Sequence, residues 1–301
     1  MLTKQQKNDI LKHKKLGFNI SEISKTLTID RDTITRYLKT GKMVMAISDL
    51  HCGHAAGLTP PKHRPYTPAW TGFYEQWDSV WQEYIKWANL LQPDILIVNG
   101  DAIDGKGEKS GGTEQICGTW AAQADMASEC IMHTNAKKIV MTYGTPFHTG
   151  QSDDFENLIK DKLTGCEVVI GGHEFPVING IQFDIKHKIG SSSVPQGRTT
   201  ALNKSHLWND LWAIRGQQPT AQVVLRGHVH YHAYTGNQDW LGMTLPALQG
   251  WGSKYGVRQC EGLVDTGITW FKVYEDSCLE NLEWASEIFT LPCMKVSTYS
   301  L

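Results

Sequence analysis

The strongest constraint on this sequence is an apolar run that stops abruptly at a carboxylate and an imidazole. Met43 to His51 reads MVMAISDLH, a run rich in β-forming residues that ends at Asp49 and His51. Residues two apart in an extended chain project from the same face, so this pair is able to grip one ion. The triplet Asp49-Leu50-His51 has an equally good structural explanation. Asp49 would cap the loop at the end of the strand, and His51 would pack nearby without binding an ion.

The same ending recurs further along the chain. The apolar run Ile95 to Val98 leads into Asp101, and the predicted strand Lys138 to Tyr143 leads into His148. The polar residues collected at predicted strand ends are Asp49, His51, Asp101, His148, His187, His228 and His230. Histidines that merely satisfy loop backbone would explain any one of these endings, but not the whole set.

The order of the runs predicts an α/β fold with parallel strands. Strands alternate with helices from Met43 to Tyr143, the helices lying at about Phe73 to Leu91 and Thr113 to Ala136. Ligands of such sheets bind outside the carboxyl ends of the strands, which is where the polar residues fall. From Glu167 to Lys186, short strands joined by glycine-containing turns predict antiparallel hairpins, and Asn179-Gly180 is the strongest of these turns.

Composition limits the class of protein. With 301 residues, 41% of them hydrophobic, and a net charge of -2, the chain is able to bury one large core. No run approaches the roughly 18 apolar residues that a membrane helix needs, and no apolar stretch follows the lysine-rich start, so we expect a cytoplasmic protein with no membrane contact. The 7 cysteines contain no Cys-X-X-Cys pair, which argues against a disulfide framework or a thiolate zinc site.

The first 42 residues form a basic head on an acidic body. They hold ten Lys and Arg against four Asp and Glu, whereas the remainder holds 19 Lys and Arg against 27 Asp and Glu. The head is therefore expected to bind a polyanion. Capping signals at Thr3, Asn19 and Asp30 predict three short helices. Their apolar spacing resembles the helix-turn-helix of resolvase and transposase DNA-binding domains. We therefore predict a domain at residues 1–41 and a second domain at 42–301.

The resemblance implies that the third helix enters the major groove of DNA. The side chains nearest the bases would then be Arg31, Thr33, Thr35 and Arg36. Because helix-turn-helix units often bind paired half-sites, a homodimer is a further expectation. The alternative is a small helical bundle used for protein contacts or dimerisation.

Two irregular segments are expected to decide which substrate binds. Cys52 to Gly72 is rich in Pro, Gly and Thr and begins at the predicted ion site, so we interpret it as a lid or a substrate wall. Ser191 to Thr200 is a similar Ser/Pro/Gly loop that follows His187.

The strand-end residues are carboxylates and imidazoles without thiolates, a ligand set that suits Mn, Fe or Zn. Seven groups are too many for one tetrahedral ion and enough for two ions that share a carboxylate. Two ions about 3.5 to 4 Å apart are able to hold a hydroxide and clamp a phosphoryl group for in-line attack. We therefore predict two divalent metal ions as cofactors, with Mn favoured and Fe, Zn or Mg as the other choices.

The motifs resemble, in order and spacing, those of the calcineurin-like metallophosphoesterases. They are Asp49-X-His51, Gly100-Asp101, Gly144 to His148, His187 and Gly227-His228-X-His230. The resemblance covers about residues 43 to 235 and implies a two-sheet β-sandwich flanked by helices. By that likeness Asp49, His51 and His230 would hold one metal, His187 and His228 would hold the other, and Asp101 would bridge them.

One motif departs from the family pattern. The family has Gly-Asn-His and then an acid after the third strand, where Asn binds the second metal and His protonates the leaving oxygen. This chain has Gly144-Thr145-Pro146-Phe147-His148. His148 either replaces the Asn as a ligand or keeps the acid role, which we favour. Thr145, Asn99 and Asp104 are further candidates for metal or phosphate contact.

The favoured interpretation is a two-metal phosphodiesterase or nuclease, directed to DNA by its N-terminal helices, with Asp101 and His148 as catalytic residues. A first alternative is a phosphatase of small-molecule or protein phosphomonoesters in which the N-terminal helices serve regulation or assembly. A second alternative is a DNA-binding protein whose metallophosphoesterase body is inactive, because the family's Asn is missing.

Overall fold

The computed structural model describes residues 2–259, 262–276 and 278–292. The chain folds into three N-terminal helices followed by a mixed α/β body with two sheets. No helix in these described ranges combines the length and the apolar character that membrane crossing requires.

The three N-terminal helices start at the predicted caps. They are α1 (Lys4–Lys15), α2 (Ile20–Leu27) and α3 (Arg31–Leu38). The side chains of Thr3, Asn19 and Asp30 accept hydrogen bonds from first-turn backbone N–H groups, which have no partner within the helix. The helices share a small apolar core made by Ile10, Leu11, Ile23, Ile29, Ile34 and Tyr37, together with Tyr274 of the body.

The first sheet has six strands, in the order β11-β10-β1-β2-β3-β4. Its strands are β1 (Lys42–Ile47), β2 (Ile95–Asn99), β3 (Lys138–Thr142), β4 (Glu167–Gly171), β10 (Gly267–Val273) and β11 (Glu283–Ile288). Strands β1 to β4 pair in parallel, whereas β10 and β11 extend the sheet in antiparallel pairing beside β1. The predicted parallel sheet is therefore present.

The second sheet has five strands, in the order β5-β6-β7-β9-β8. Its strands are β5 (Val177–Ile178), β6 (Ile181–Ile185), β7 (Val223–Arg226), β8 (Ala233–Gly236) and β9 (Leu241–Thr244). The central strands β6, β7 and β9 are parallel, and the edge strands β5 and β8 are antiparallel to their neighbours.

Six α-helices belong to the described part of the body. They are α4 (Tyr74–Leu91), α5 (Trp120–Met132), α6 (Pro146–Thr149), α7 (Asn157–Lys162), α8 (Thr200–Ile214) and α9 (Lys254–Gln259).

Alternate side chains of β1 pack against different layers of the body, the second sheet on one face and helices on the other. Val44 and Ala46 point to one face and contact the apolar residues of the second sheet, where Phe183 meets Phe271 edge to face at 5.5 Å. Met45 and Ile47 point to the other face, which α4 and α5 cover. The central strands β1 and β2 are thus buried on both faces, as their continuous apolar runs indicate.

Two sequence predictions about secondary structure were wrong. The strand β4 was predicted to form antiparallel hairpins, but it pairs in parallel with β3 because α6 and α7 lie between them in a β-α-β connection. Among the strands predicted between Glu167 and Lys186, the antiparallel hairpin that is present is β5–β6 at Asn179-Gly180. The helix predicted from Thr113 begins at Trp120 instead, because the backbone of residues 114–116 bonds to that of residues 53–55.

The segment Cys52 to Gly72 was expected to form a lid or substrate wall, yet its first half lies inside the protein. Residues 52–60 are all buried, and the indole of Trp77 donates to the carbonyl of Ala55 at 2.6 Å. The guanidinium of Arg64 donates to the carbonyls of Thr59 and Trp77. These contacts leave the segment little freedom to open as a lid.

A buried ion pair in the second sheet predicts a measurable loss of stability. Arg226 donates to the Asp184 carboxylate at 2.7 Å, and both side chains are buried. Replacement Arg226→Ala should lower the free energy of unfolding by about 3 kcal/mol in urea denaturation, because the buried Asp184 would lose its arginine and keep only the His173 imidazole beside the same oxygen. The matched control Lys138→Ala, which breaks the exposed cross-strand pair with Glu167, should cost less than about 1 kcal/mol. Equal losses would contradict this account.

Candidate metal centre

The predicted ligands lie at one end of the two sheets, where the carboxyl ends of their strands meet. Each ligand follows a strand by a few residues: Asp49 and His51 follow β1, Asp101 follows β2, His187 follows β6, and His228 and His230 follow β7. His148 lies in α6, just after β3. The paired ligands, which are two residues apart, therefore lie in the turn after a strand and not within the extended strand itself.

Three groups of these side chains bring their ligand atoms within 4.8 Å of one another. The groups are Asp49 with His51 and His230, His51 with Asp101 and His148, and Asp101 with His187 and His228. Asp101 and His51 each belong to two groups, so the three groups form one continuous cluster. All seven residues that the sequence predicts are in it.

One carboxylate oxygen at the middle of the cluster lacks a hydrogen bond. Oδ1 of Asp49 is buried and has no hydrogen-bond partner among the described residues. It lies 3.1 Å from Nε2 of His230 and 3.8 Å from Nε2 of both His51 and His187. A buried unpaired carboxylate oxygen is costly, and a cation between it and the surrounding imidazole nitrogens would satisfy it. The residues present therefore fit a divalent metal ion.

Hydrogen bonds on the outer side of two imidazoles orient their inner nitrogens. Nδ1 of His51 lies 2.7 Å from a carboxylate oxygen of Asp104, and Nδ1 of His187 lies 2.7 Å from the carbonyl oxygen of Asn99. Since both partners are acceptors, each Nδ1 carries a hydrogen, and each Nε2 is the ring nitrogen that would offer a lone pair to a metal ion. This is the usual arrangement of metal-binding histidines.

Opposite charges in the cluster shift the pKa of its members. Burial would raise the pKa of Asp49, but His230 and His187 bring it well below its ordinary value. Burial would lower the pKa of His187, yet the neighbouring Asp101 and Asp49 carboxylates raise it to about 9. Hence Asp49 is ionised, and its negative charge favours a cation beside it.

The backbone is strained at five of the six predicted metal ligands. Their φ angles lie in the left-handed region: Asp49 at 52°, His51 at 45°, Asp101 at 47°, His228 at 73° and His230 at 52°. Non-glycine residues in this region cost about 1 to 3 kcal/mol each and are concentrated at functional sites. The strain turns these side chains inward at the ends of their strands.

The three supporting candidates touch the ligands in different ways. Asp104 accepts from Gln115 at 2.6 Å through its second oxygen while it holds His51. Thr145 donates its backbone N–H to Oδ1 of Asp101 at 2.7 Å, and its hydroxyl lies farther away, at 3.4 Å. The side-chain oxygen of Asn99 accepts from Thr142, so Asn99 reaches the cluster through its backbone carbonyl.

His148 lies on the open side of the cluster. Its side chain is 22% exposed and that of His230 is 21%, whereas those of Asp49, Asp101 and His187 are at most 2% exposed. Nδ1 of His148 lies 3.2 Å from a carboxylate oxygen of Asp104, and its ring packs edge to face on His51 at 4.5 Å. Both roles considered for His148, ligand and acid, require this position.

Sequence reasoning missed two residues that hold the cluster. The hydroxyl of Ser48 lies 2.6 Å from Oδ2 of Asp49. The buried carboxylate of Glu156 accepts the backbone N–H groups of Ala102 and Gly144 at 2.7 and 2.8 Å, so it ties together the loops that follow β2 and β3. Burial, and then the charge of Asp101, raise the pKa of Glu156 to about 7. Ser48 adjoins a motif residue, but nothing in the sequence distinguishes Glu156 from a surface acid.

The predicted nucleic-acid residues lie on α3 and belong to none of the three groups. Arg31 and Arg36 are exposed, while the hydroxyl of Thr35 donates to the carbonyl of Arg31. The backbone N–H of Thr33 donates to the cap Asp30. Thus the two arginines, more than the two threonines, are available to a ligand.

No protein-family model matches this chain, and no curated protein matches it. Among solved structures, the chain is similar to an archaeal phosphodiesterase with a TM-score of 0.45 and 15% identity, over 82% of this chain and 99% of that one. It is also similar to Vps29 of Entamoeba histolytica complexed with Zn²⁺, with a TM-score of 0.41 and 13% identity over 82% and 99% of the two chains. A predicted phosphoesterase of Streptococcus pneumoniae has a TM-score of 0.35 and 10% identity over 82% and 98%. These values are low, so only the geometry of the cluster bears on function.

The close packing around Asp101 predicts the effect of one added methyl group. A Cβ at Gly144 would overlap with Oδ1 of Asp101, whereas a Cβ at Gly118 would have no described atom within 4 Å. Replacement Gly144→Ala should therefore displace the Asp101 carboxylate and weaken Mn²⁺ binding at least about tenfold in isothermal titration calorimetry. Gly118→Ala is the control and should bind as wild type. Unchanged Mn²⁺ affinity in Gly144→Ala would mean that Asp101 is not a ligand.

Proposed function

We propose that this chain is a metal-dependent phosphoesterase of the calcineurin-like kind that uses two divalent ions, Mn²⁺ being favoured. The observation that carries the proposal is the buried, unpaired Oδ1 of Asp49, which faces imidazole nitrogens of His51, His187 and His230. The strained backbone of the ligands and the sharing of Asp101 between two ligand groups support it.

Two of the ligand groups would hold the ions. Asp49, His51 and His230 would hold one, and His187 and His228 would hold the other, with Asp101 at hydrogen-bond distance from His187 and suited to bridge. When bound, divalent ions at such a centre polarise a phosphate ester and lower the pKa of water to near neutrality.

The protein's own residues then bind the substrate and move the proton. The phosphate approaches on the open side, beside His148 and His230, because Asp49, His51, Asp101 and His187 are buried. Asp104 lies against Nδ1 of His148 and so leaves Nε2 of that ring to deliver a proton to the leaving oxygen. Ser48 and Glu156 keep the ligand loops fixed during the reaction.

We favour a phosphodiester substrate, and specifically nucleic acid with DNA preferred, on the strength of the basic N-terminal helices. Arg31 and Arg36 are exposed on α3, and no described acidic side chain forms an ion pair with either. Lys7 and Lys14 have a different task, since they pair with Asp276 and Glu283 of the body at 2.6 and 2.5 Å. The surface offered to DNA therefore centres on α3.

A second candidate is a phosphomonoesterase whose N-terminal helices serve assembly. The ion pairs of Lys7 and Lys14, together with Tyr274 in the apolar core of the three helices, favour it. These contacts fasten the helices to the body, as a structural attachment requires.

Hydrolysis of model esters tests the reaction. With Mn²⁺, the wild type should cleave bis-p-nitrophenyl phosphate faster than p-nitrophenyl phosphate, and Asp101→Asn should lower kcat/KM at least about 100-fold through the loss of a ligand charge. The control Asp239→Asn changes an exposed carboxylate and should leave the rate unchanged. Faster cleavage of the monoester would favour the second candidate. Equal rates in wild type and Asp101→Asn would rule out Asp101 as a ligand.

DNA binding tests the role assigned to α3. The double replacement Arg31→Ala and Arg36→Ala should weaken duplex binding about tenfold and make it less dependent on salt, because two cations would no longer displace counterions from phosphates. Fluorescence anisotropy at several salt concentrations measures both quantities. Lys86→Ala, on the exposed side of α4, is the control. If the double variant binds as tightly as wild type, α3 is not the DNA-binding surface.

A further inference from the structure

A cation is stacked on Tyr231, the residue that follows the predicted ligand His230. The guanidinium carbon of Arg198 lies 4.4 Å from the centre of the Tyr231 ring, in the segment between β6 and α8. Tyr231 directly follows His230 and is only 6% exposed, so it forms a fixed platform for the arginine. Stacking on an aromatic ring orients a guanidinium without using its N–H groups.

One buried polar atom of each side chain lacks a hydrogen-bond partner. Nε of Arg198 and the hydroxyl of Tyr231 are both buried, and neither has a hydrogen-bond partner in the part of the chain that the structure describes. Arg198 also forms no ion pair with a described acidic side chain. An unpaired buried donor is costly, and an anion placed against the guanidinium would satisfy it.

Gly262 and the amino end of α8 border the guanidinium. The backbone of Gly262 borders the guanidinium, since a Cβ there would lie 3.4 Å from Nη2 of Arg198. The same segment is tied to the metal centre, because the N–H of Asp265 donates to the carbonyl of His230 at 2.8 Å. Arg198 also precedes the amino end of α8, whose N-cap Thr199 makes no side-chain cap hydrogen bond.

Arg215 provides an internal comparison. It also stacks on an aromatic ring, that of Trp212 at 5.7 Å, but it is exposed and lies at the opposite end of α8. Aromatic stacking is therefore common to both arginines. Only Arg198 combines stacking with a buried, unpaired donor next to a predicted metal ligand.

We propose that Arg198, stacked on Tyr231, binds a phosphate oxygen of the substrate on the His230 side of the metal centre. The inference rests on the proposed function and assigns a binding residue in the loop predicted to select the substrate. A guanidinium offers two parallel N–H donors to phosphate, which an ammonium group does not. The reacting phosphate and a neighbouring phosphate of a nucleic-acid strand present the same chemistry.

Inorganic phosphate is the first probe. It is titrated calorimetrically into the Mn²⁺-loaded protein and into protein stripped with EDTA, for wild type, Arg198→Met, Arg198→Lys and the control Arg215→Met. We expect Arg198→Met to weaken phosphate binding about tenfold, Arg198→Lys to weaken it less, and Arg215→Met to leave it unchanged. Thermal unfolding by circular dichroism checks that each variant is folded.

The outcomes separate this inference from the proposed function. An Arg198-dependent affinity for phosphate supports the subsite even where the loaded protein hydrolyses no ester. Unchanged affinity in Arg198→Met, an equal loss in Arg215→Met, or no measurable phosphate binding by wild type would overturn it.

Hydrolysis by the loaded protein identifies which phosphate is bound. A raised KM of Arg198→Met for both bis-p-nitrophenyl phosphate and a short oligothymidylate indicates the reacting phosphate. A raised KM for the oligothymidylate alone indicates a neighbouring phosphate. A lower kcat with both KM values unchanged would contradict a binding role.

Discussion

A carboxylate oxygen buried without a hydrogen-bond donor is the feature on which the rest of the structure depends. Oδ1 of Asp49 has no hydrogen bond within the described residues and lies among imidazole nitrogens, the nearest being Nε2 of His230 at 3.1 Å, so the buried carboxylate relies on cationic groups around it. The left-handed backbone of Asp49, His51, Asp101, His228 and His230 adds further cost. Binding of a cation would offset both the cost of the buried oxygen and the cost of the left-handed backbone.

The body of the protein is arranged to hold that cluster rigid. Two sheets pack face to face and bring strand ends from distant parts of the chain to one edge. Glu156 ties the loops after β2 and β3 together, while the side-chain oxygen of Gln123 accepts the N–H groups of Asp104 and Gly105. Since the segment after His51 is also buried, the site is formed by fixed loops and not by a closing lid.

Local patterns in the sequence predict much of this arrangement. Three of these patterns depend on chemistry within a few residues, and the structure has them where they were expected. They are the alternation of buried faces along β1, the helix caps at Thr3, Asn19 and Asp30, and the polar residues at strand ends. The cluster was predictable because parallel strands must end at one edge.

The remaining features depend on contacts between distant segments. The pairing of β4 with β3, the burial of residues 52–60 and the tie at Glu156 involve partners that no local pattern reveals. Arg198 appeared only as part of a loop, because its stacking on Tyr231 joins residues more than thirty positions apart. Charge counts likewise indicated a basic head, but not that Lys7 and Lys14 are paired with the body.

Anomalous diffraction at the manganese edge, from crystals grown with Mn²⁺, tests the central claim most directly. The account predicts two peaks inside the cluster, one against Asp49, His51 and His230 and one against His187 and His228, with Asp101 between them. Peaks confined to the protein surface, or no peak beside Oδ1 of Asp49 at saturating Mn²⁺, would contradict it.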